Sequence, residues 1–153
     1  MHKDYREIKW RIEFAFKQMI KLGVLSEPDY LCCNTCGHDD LGRLTQEVGA
    51  RGWAFYHMQD EDDLRNRVEC CVSYGGAADL CDPPPPESMY TLDVGNLLEE
   101  KLEKAGLETH WNGDIRQRIN IKLPKRRKNS CSDIYFITDD EIWVLDDILD
   151  IEN

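Results

Sequence analysis

Positive charge is short in this chain relative to negative. Nineteen Lys and Arg stand against thirty Asp and Glu, a formal net charge of −11 at pH 7, and that balance disfavours a general affinity for phosphate backbones or anionic membrane surfaces. No apolar run approaches the roughly 20 residues that a bilayer span requires, and the opening residues, MHKDYRE, contain no apolar signal core. The expectation is a cytoplasmic protein without a membrane partner, whose seven cysteines stay reduced. An odd count leaves at least one of them unpaired in any case. Histidine is scarce, at four residues. The one Cys-x-x-Cys is followed by neither a second such pair nor a spaced pair of histidines, so a closed four-ligand zinc pattern is incomplete. A glycine-flanked oxyanion motif is lacking too.

What is present suits a folded globule. A chain of 153 residues with 41% hydrophobic content can enclose one core without covalent staples, and residues 1–153 read as a single domain. Residues 1–23 form an N-terminal helix, because Tyr5, Ile8, Ile12, Ala15, Phe16, Met19 and Leu22 recur at helical spacing and Gly23 ends the run. Its other side carries Arg6, Trp10, Phe14, Lys17 and Lys21, an aromatic and basic patch that reads either as a binding surface or as cover for a neighbouring element. A second helix, capped by Asn34 or Thr35, runs through Leu41, Leu44 and Val48. WAFYHM (53–58) reads as a buried strand, DEDDLRNR as an acid-started helix or turn, and ECCVSYGG as a strand stopped by its paired glycines. The run Pro83 to Pro86 is an extended connector. Thr91 or Asp93 caps a third long helix ended by Gly106, and Asn112-Gly113 predicts a tight two-residue hairpin turn. A basic loop at 124–131 precedes a hairpin and acidic tail at 132–153. The PKRRK within it also resembles a nuclear import signal, which would matter in a eukaryotic host.

The expected fold class is α/β (α+β): helices packed on a mixed, largely antiparallel sheet with strands near 53–58, 69–74, 107–111, 115–122, 134–138 and 141–145.

Three readings compete for YLCCNTCGHDD, residues 30–40. The first is a metal knuckle, for which Cys33, Cys36, His38 and His57 are the candidate ligands and zinc the candidate ion. In the second, Cys36 lies in the first turn of the helix and acts as a nucleophile, with His57 as its base and Asp60 orienting the imidazole. In the third, Cys32, Cys33, Cys70 and Cys71 are small core hydrophobes. Cys70 and Cys71 are strand neighbours, so they point to opposite faces and cannot both join one site.

CCNTCGHDDLG, GWAFYHMQDEDDL, VSYGG and VGNLLEEKLEKAGLETHWNGDIRQRINI occur in this order over residues 30–122. Together they resemble an uncharacterised, mainly bacterial domain-of-unknown-function family with a Cys-x-x-Cys, His-x-Gln-Asp, Tyr-Gly, Trp-x-Gly pattern. The resemblance implies family-like roles for Cys33, Cys36, His57, Gln59, Asp60, Tyr74, Gly75, Trp111 and Gly113. Met58 departs from the polar residue expected there. The family carries no assigned activity, so an architecture and a site follow from it, but no reaction.

Charge and size favour a small acidic domain that binds a basic protein, in the manner of an immunity or inhibitor protein, with Trp10, Phe14, Gln59, Tyr74 and Trp111 as binding residues. The alternative is a metal-binding or cysteine-dependent enzyme built on Cys33, Cys36, His57 and Asp60.

Overall fold

The computed structural model describes residues 1–124 and the backbone of two later strands, Tyr135–Ile137 and Ile142–Val144. The expected basic cluster at 125–128 and the acidic tail at 146–153 lie outside the described residues. Among the described residues, no helix is long and apolar enough to cross a membrane.

Helix α1 (Tyr5–Lys21) buries Tyr5, Ile8, Ile12, Ala15, Phe16 and Met19 of the expected stripe, while Leu22 is exposed past its end and Phe14, expected on the other side, is buried in the core. Gly23, at φ +87°, turns the chain straight into β1 (Val24–Glu27). Helix α2 (Asn34–Val48) then crosses over to β2 (Gly52–Phe55), which pairs parallel with β1 from Val24 opposite Gly52 to Glu27 opposite Phe55. Strand β1 escapes a sequence reading because VLSE is short, half polar and followed by Pro28.

Strand β2 stops at Phe55 instead of continuing to 58. His57 is the N-cap of α3 (Met58–Arg67), and its backbone N–H donates to Asp60 Oδ2 at 3.1 Å. A local cap thus overrides the aromatic pattern that favours strand. Strand β3 (Cys70–Gly76) runs antiparallel to β2 through both of its glycines, which belong to the strand and do not stop it. At Gly75 a Cβ would lie 2.1 Å from the Trp53 ring, so the small residue makes room for the indole. Helix α4 (Thr91–Lys104) is capped from a distance, its Thr91 N–H donating to Asp79 Oδ2 at 2.7 Å.

Strands β4 (Leu107–His110) and β5 (Ile119–Pro124) pair antiparallel, and β5 also pairs with β3. The expected two-residue turn between them is a longer loop. Tyr74 OH donates to Asp114 O at 3.2 Å and to Gln117 O at 2.7 Å, and Trp111 Nε1–H donates to Asp114 O at 3.1 Å. These three bonds hold 111–118 against the sheet, which outweighs the local preference of Asn112-Gly113 for a tight turn.

The sheet order is β1-β2-β3-β5-β4, mixed, with a single parallel pair. β6 (Tyr135–Ile137) and β7 (Ile142–Val144) form the expected last hairpin as a separate two-stranded sheet. One face of the main sheet carries the larger core, where α1 and α4 cover Ala54, Val72, Ile119 and Ile121. On the other face α2 packs on β2 and β3, with Leu41 against Trp53 and Phe55. On the same face Ser73 of β3 is buried, and Cys71, Arg118 and Asn120 are half-buried.

Candidate functional site

The start of α2 is fixed by its surroundings. Gly37 lies so close to Phe55 that a Cβ would sit 2.1 Å from the ring. The loop before it is tied to the end of β2, with Tyr30 N–H donating to Tyr56 O at 2.8 Å and Met58 N–H donating to Leu31 O at 3.0 Å. The Tyr30 hydroxyl donates to the Asp40 carboxylate, which also takes a 2.8 Å bond from Arg43, and the Asp40 bond pushes the Tyr30 hydroxyl up to about 12.

That frame brings three sulfurs together. Cys32 Sγ lies 3.8 Å from Cys33 Sγ and 3.6 Å from Cys36 Sγ, and all three lie within 4.8 Å of one another. Cys33 is the N-cap residue, half-buried, and Cys32 and Cys36 are exposed. Backbone N–H donation from Cys36 lowers the Cys33 thiol, while the neighbouring Cys33 and Cys32 sulfurs push the Cys36 thiol up to about 11. The N-cap, where free backbone donors point, is therefore one or two residues earlier than the sequence suggests, and it favours a thiolate at Cys33 over Cys36. The cysteines at the helix start are not core residues. Of the four considered for the core, Cys70 alone is buried there; Cys71 sits on the opposite face with its Sγ 3.9 Å from Asn120 Oδ1.

A second group, largely buried, lies on the polar face of the sheet beside the start of α2. Arg118 donates through Nε to Ser73 Oγ at 2.7 Å, through Nη1 to Asp60 Oδ1 at 3.1 Å, and through Nη2 to Asp60 Oδ2 and, at 2.6 Å, to Cys71 O. Ser73 in turn donates to Asn34 Oδ1. His57 Nε2 lies 3.2 Å from Asp60 Oδ2, while its buried Nδ1 has no partner among the described residues. Burial first, and Arg118 second, keep the His57 imidazole below its ordinary value against the opposing pull of Asp60. A 620 Å³ cavity opens beside this group, walled by Asn34, Cys71, Trp111, Gln117, Arg118 and Asn120. Asn34 follows Cys33 directly, so the thiols and the polar cavity share the first turn of α2.

The structure places the sequence candidates in several separate settings. Cys33 and Cys36 meet each other and Cys32. His38 is outside that cluster: its ring packs edge-on against Phe55, its Nδ1 accepts from Trp53 Nε1–H at 3.1 Å, and burial lowers its pKa. His57 and Asp60 meet each other and Arg118. Gln59 is exposed on α3. Tyr74 and Trp111 pack edge to face at 5.5 Å and anchor the 111–118 loop. Trp10 and Phe14 stack at 5.5 Å beside a 360 Å³ groove that also takes in Lys17, Ile20 and Pro28. Sequence reasoning missed Cys32, Asn34, Ser73 and Arg118. Strand alternation does carry a signal for Arg118, since it shares a face with Asn120 while Ile119 and Ile121 point to the core.

No curated protein and no solved structure matches the chain. The family model described as domain of unknown function DUF6891 matches residues 8–129, four-fifths of the sequence, and the chain belongs to that family.

Proposed function

We propose that this protein binds zinc through the thiolates of Cys32, Cys33 and Cys36. The observation that carries the reading is the spacing of the sulfurs, 3.6 and 3.8 Å from Cys32 to its two neighbours. Thiolates bound tetrahedrally at about 2.3 Å from one zinc ion stand about 3.8 Å apart. Two further features support it. Backbone donors at the N-cap already favour the thiolate of Cys33, and a cation would replace the proton that Cys36 holds in its hydrogen bonds to the Cys33 and Cys32 sulfurs. The core closes on both faces of the sheet without the cluster, so the metal is not a staple for the fold. Three protein sulfurs leave a fourth position for solvent or an incoming ligand, the arrangement of a site that acts on something.

Cobalt titration of the full chain under reducing conditions tests this. The expected result is a sulfur-to-cobalt charge-transfer band that saturates at one equivalent, is displaced by zinc and is abolished by Cys36→Ser. A titration without that band contradicts the reading.

A further inference from the structure

We propose that Cys33 and Cys36 form an exchanging dithiol that reduces low-molecular-weight disulfides, with Cys33 as the attacking sulfur and Cys36 as the resolving one. The proposal goes beyond metal binding and does not depend on it.

Cys33 is the extended N-cap residue of α2, at φ −158° and ψ 172°, and Cys36 lies three residues on in the first turn. Their sulfurs belong to one group within 4.8 Å, and Cys33 is half-buried while Cys36 is exposed. A disulfide requires an S–S bond of about 2.05 Å, and side-chain rotation can supply the approach while the helix start stays where Phe55 and the Tyr30 anchor hold it. The polar cavity begins at Asn34, the residue after Cys33, and its amide side chains offer partners to a polar, peptide-like disulfide such as oxidised glutathione.

The chemistry balances without a further reactant. The Cys33 thiolate attacks one sulfur of the disulfide, forming a mixed disulfide and expelling one thiolate. Cys36 gives up its proton to that leaving group and attacks Cys33 Sγ, expelling the second thiolate. The protein dithiol is oxidised to a Cys33–Cys36 disulfide and the substrate is reduced to two thiols.

The test uses the full-length reduced chain in a chelating buffer, exposed to glutathione disulfide, acid-quenched and mapped by peptide mass. Cys81 is exposed on another part of the surface and serves as the internal reference thiol. Wild type is expected to form the Cys33–Cys36 bridge and to release two glutathiones per chain. Cys36→Ser is expected to accumulate a glutathione adduct on Cys33 at least about 10-fold faster than on Cys81, and Cys32→Ser to keep the Cys33–Cys36 bridge. Equal rates at Cys33 and Cys81, or a bridge from Cys32 to Cys36 in its place, would overturn the proposal. Chelation removes any metal, so failure here is separate from failure of the cobalt titration.

Discussion

Arg118, at the head of β5, clamps Asp60 in the first turn of α3 with both arms of its guanidinium, Nη1 reaching Oδ1 at 3.1 Å and Nη2 bonding Oδ2. Asp60 is 5% exposed and also receives the His57 backbone N–H. One carboxylate thereby caps a helix, faces an imidazole and fixes the arginine that walls the polar cavity.

Removing one partner of this pair strands the other. Arg118→Ala is expected to cost about 3 kcal/mol in urea unfolding, because it leaves the Asp60 charge buried and uncompensated. Replacing the pair together, as Asp60→Asn with Arg118→Met, is expected to cost less than the sum of the two single changes. Additive losses would mean that the two groups do not act as a unit.

Glu61, the next residue, belongs to a different network. It is 2% exposed and accepts from Lys9 Nζ at 2.6 Å, from Tyr56 OH at 2.7 Å and from Tyr5 OH. Burial alone would push its carboxyl up, but these bonds outweigh it and hold the carboxyl low. Glu61→Gln is expected to lower stability by about 2 kcal/mol while leaving cobalt binding unchanged, since its partners join α1, α3 and the end of β2, away from the thiols.

Two histidines set a direction for acid sensitivity. His38 and His57 both have folded pKa values below the ordinary 6.5, chiefly through burial. Below 6.5 the unfolded chain takes up protons that the folded chain resists, so their contribution to stability is complete above that pH and is lost as pH falls towards the folded values. The urea midpoint is expected to fall between pH 7.5 and 5.5, and to fall less in a His38→Asn, His57→Asn double variant. An unchanged slope in the double variant would assign the effect to other groups.

Glycines 37 and 75 are close-approach positions. A methyl at either would sit 2.1 Å from an aromatic carbon, on Phe55 or Trp53 respectively. Gly37→Ala and Gly75→Ala are each expected to cost about 1–3 kcal/mol by overpacking. Gly75→Ala should also shift tryptophan emission, because its clash is with an indole. Gly113→Ala has open space around its Cβ and is strained only by its φ of +83°.

Helices α1 and α4 were legible because an apolar stripe persists along each, and the alternation in Ile119-Asn120-Ile121 marked the inner face of β5. Strand β1 was not, since four residues with two polar ones carry no period of their own and are defined by pairing with β2. The start of α3 was hidden by aromatic residues that favour strand up to a cap at His57. Tertiary bonds from Tyr74 and Trp111 replaced the turn expected at Asn112-Gly113. In the site, the Cys-x-x-Cys and His-x-x-Asp spacings each placed two groups near one another. Which groups then meet depended on the sheet: Arg118, just before β5, reaches Ser73 on β3 and Asp60 in α3, and Cys32 turns out of the core to complete a set of three sulfurs.

Native mass spectrometry of the freshly purified, reduced chain, set against the acid-denatured mass, tests the central claim most directly. Zinc binding by Cys32, Cys33 and Cys36 predicts an excess of one zinc ion per chain that disappears in acid and is missing from a folded Cys36→Ser variant. A bare chain mass after equilibration with zinc, with all three thiols reduced, would contradict it.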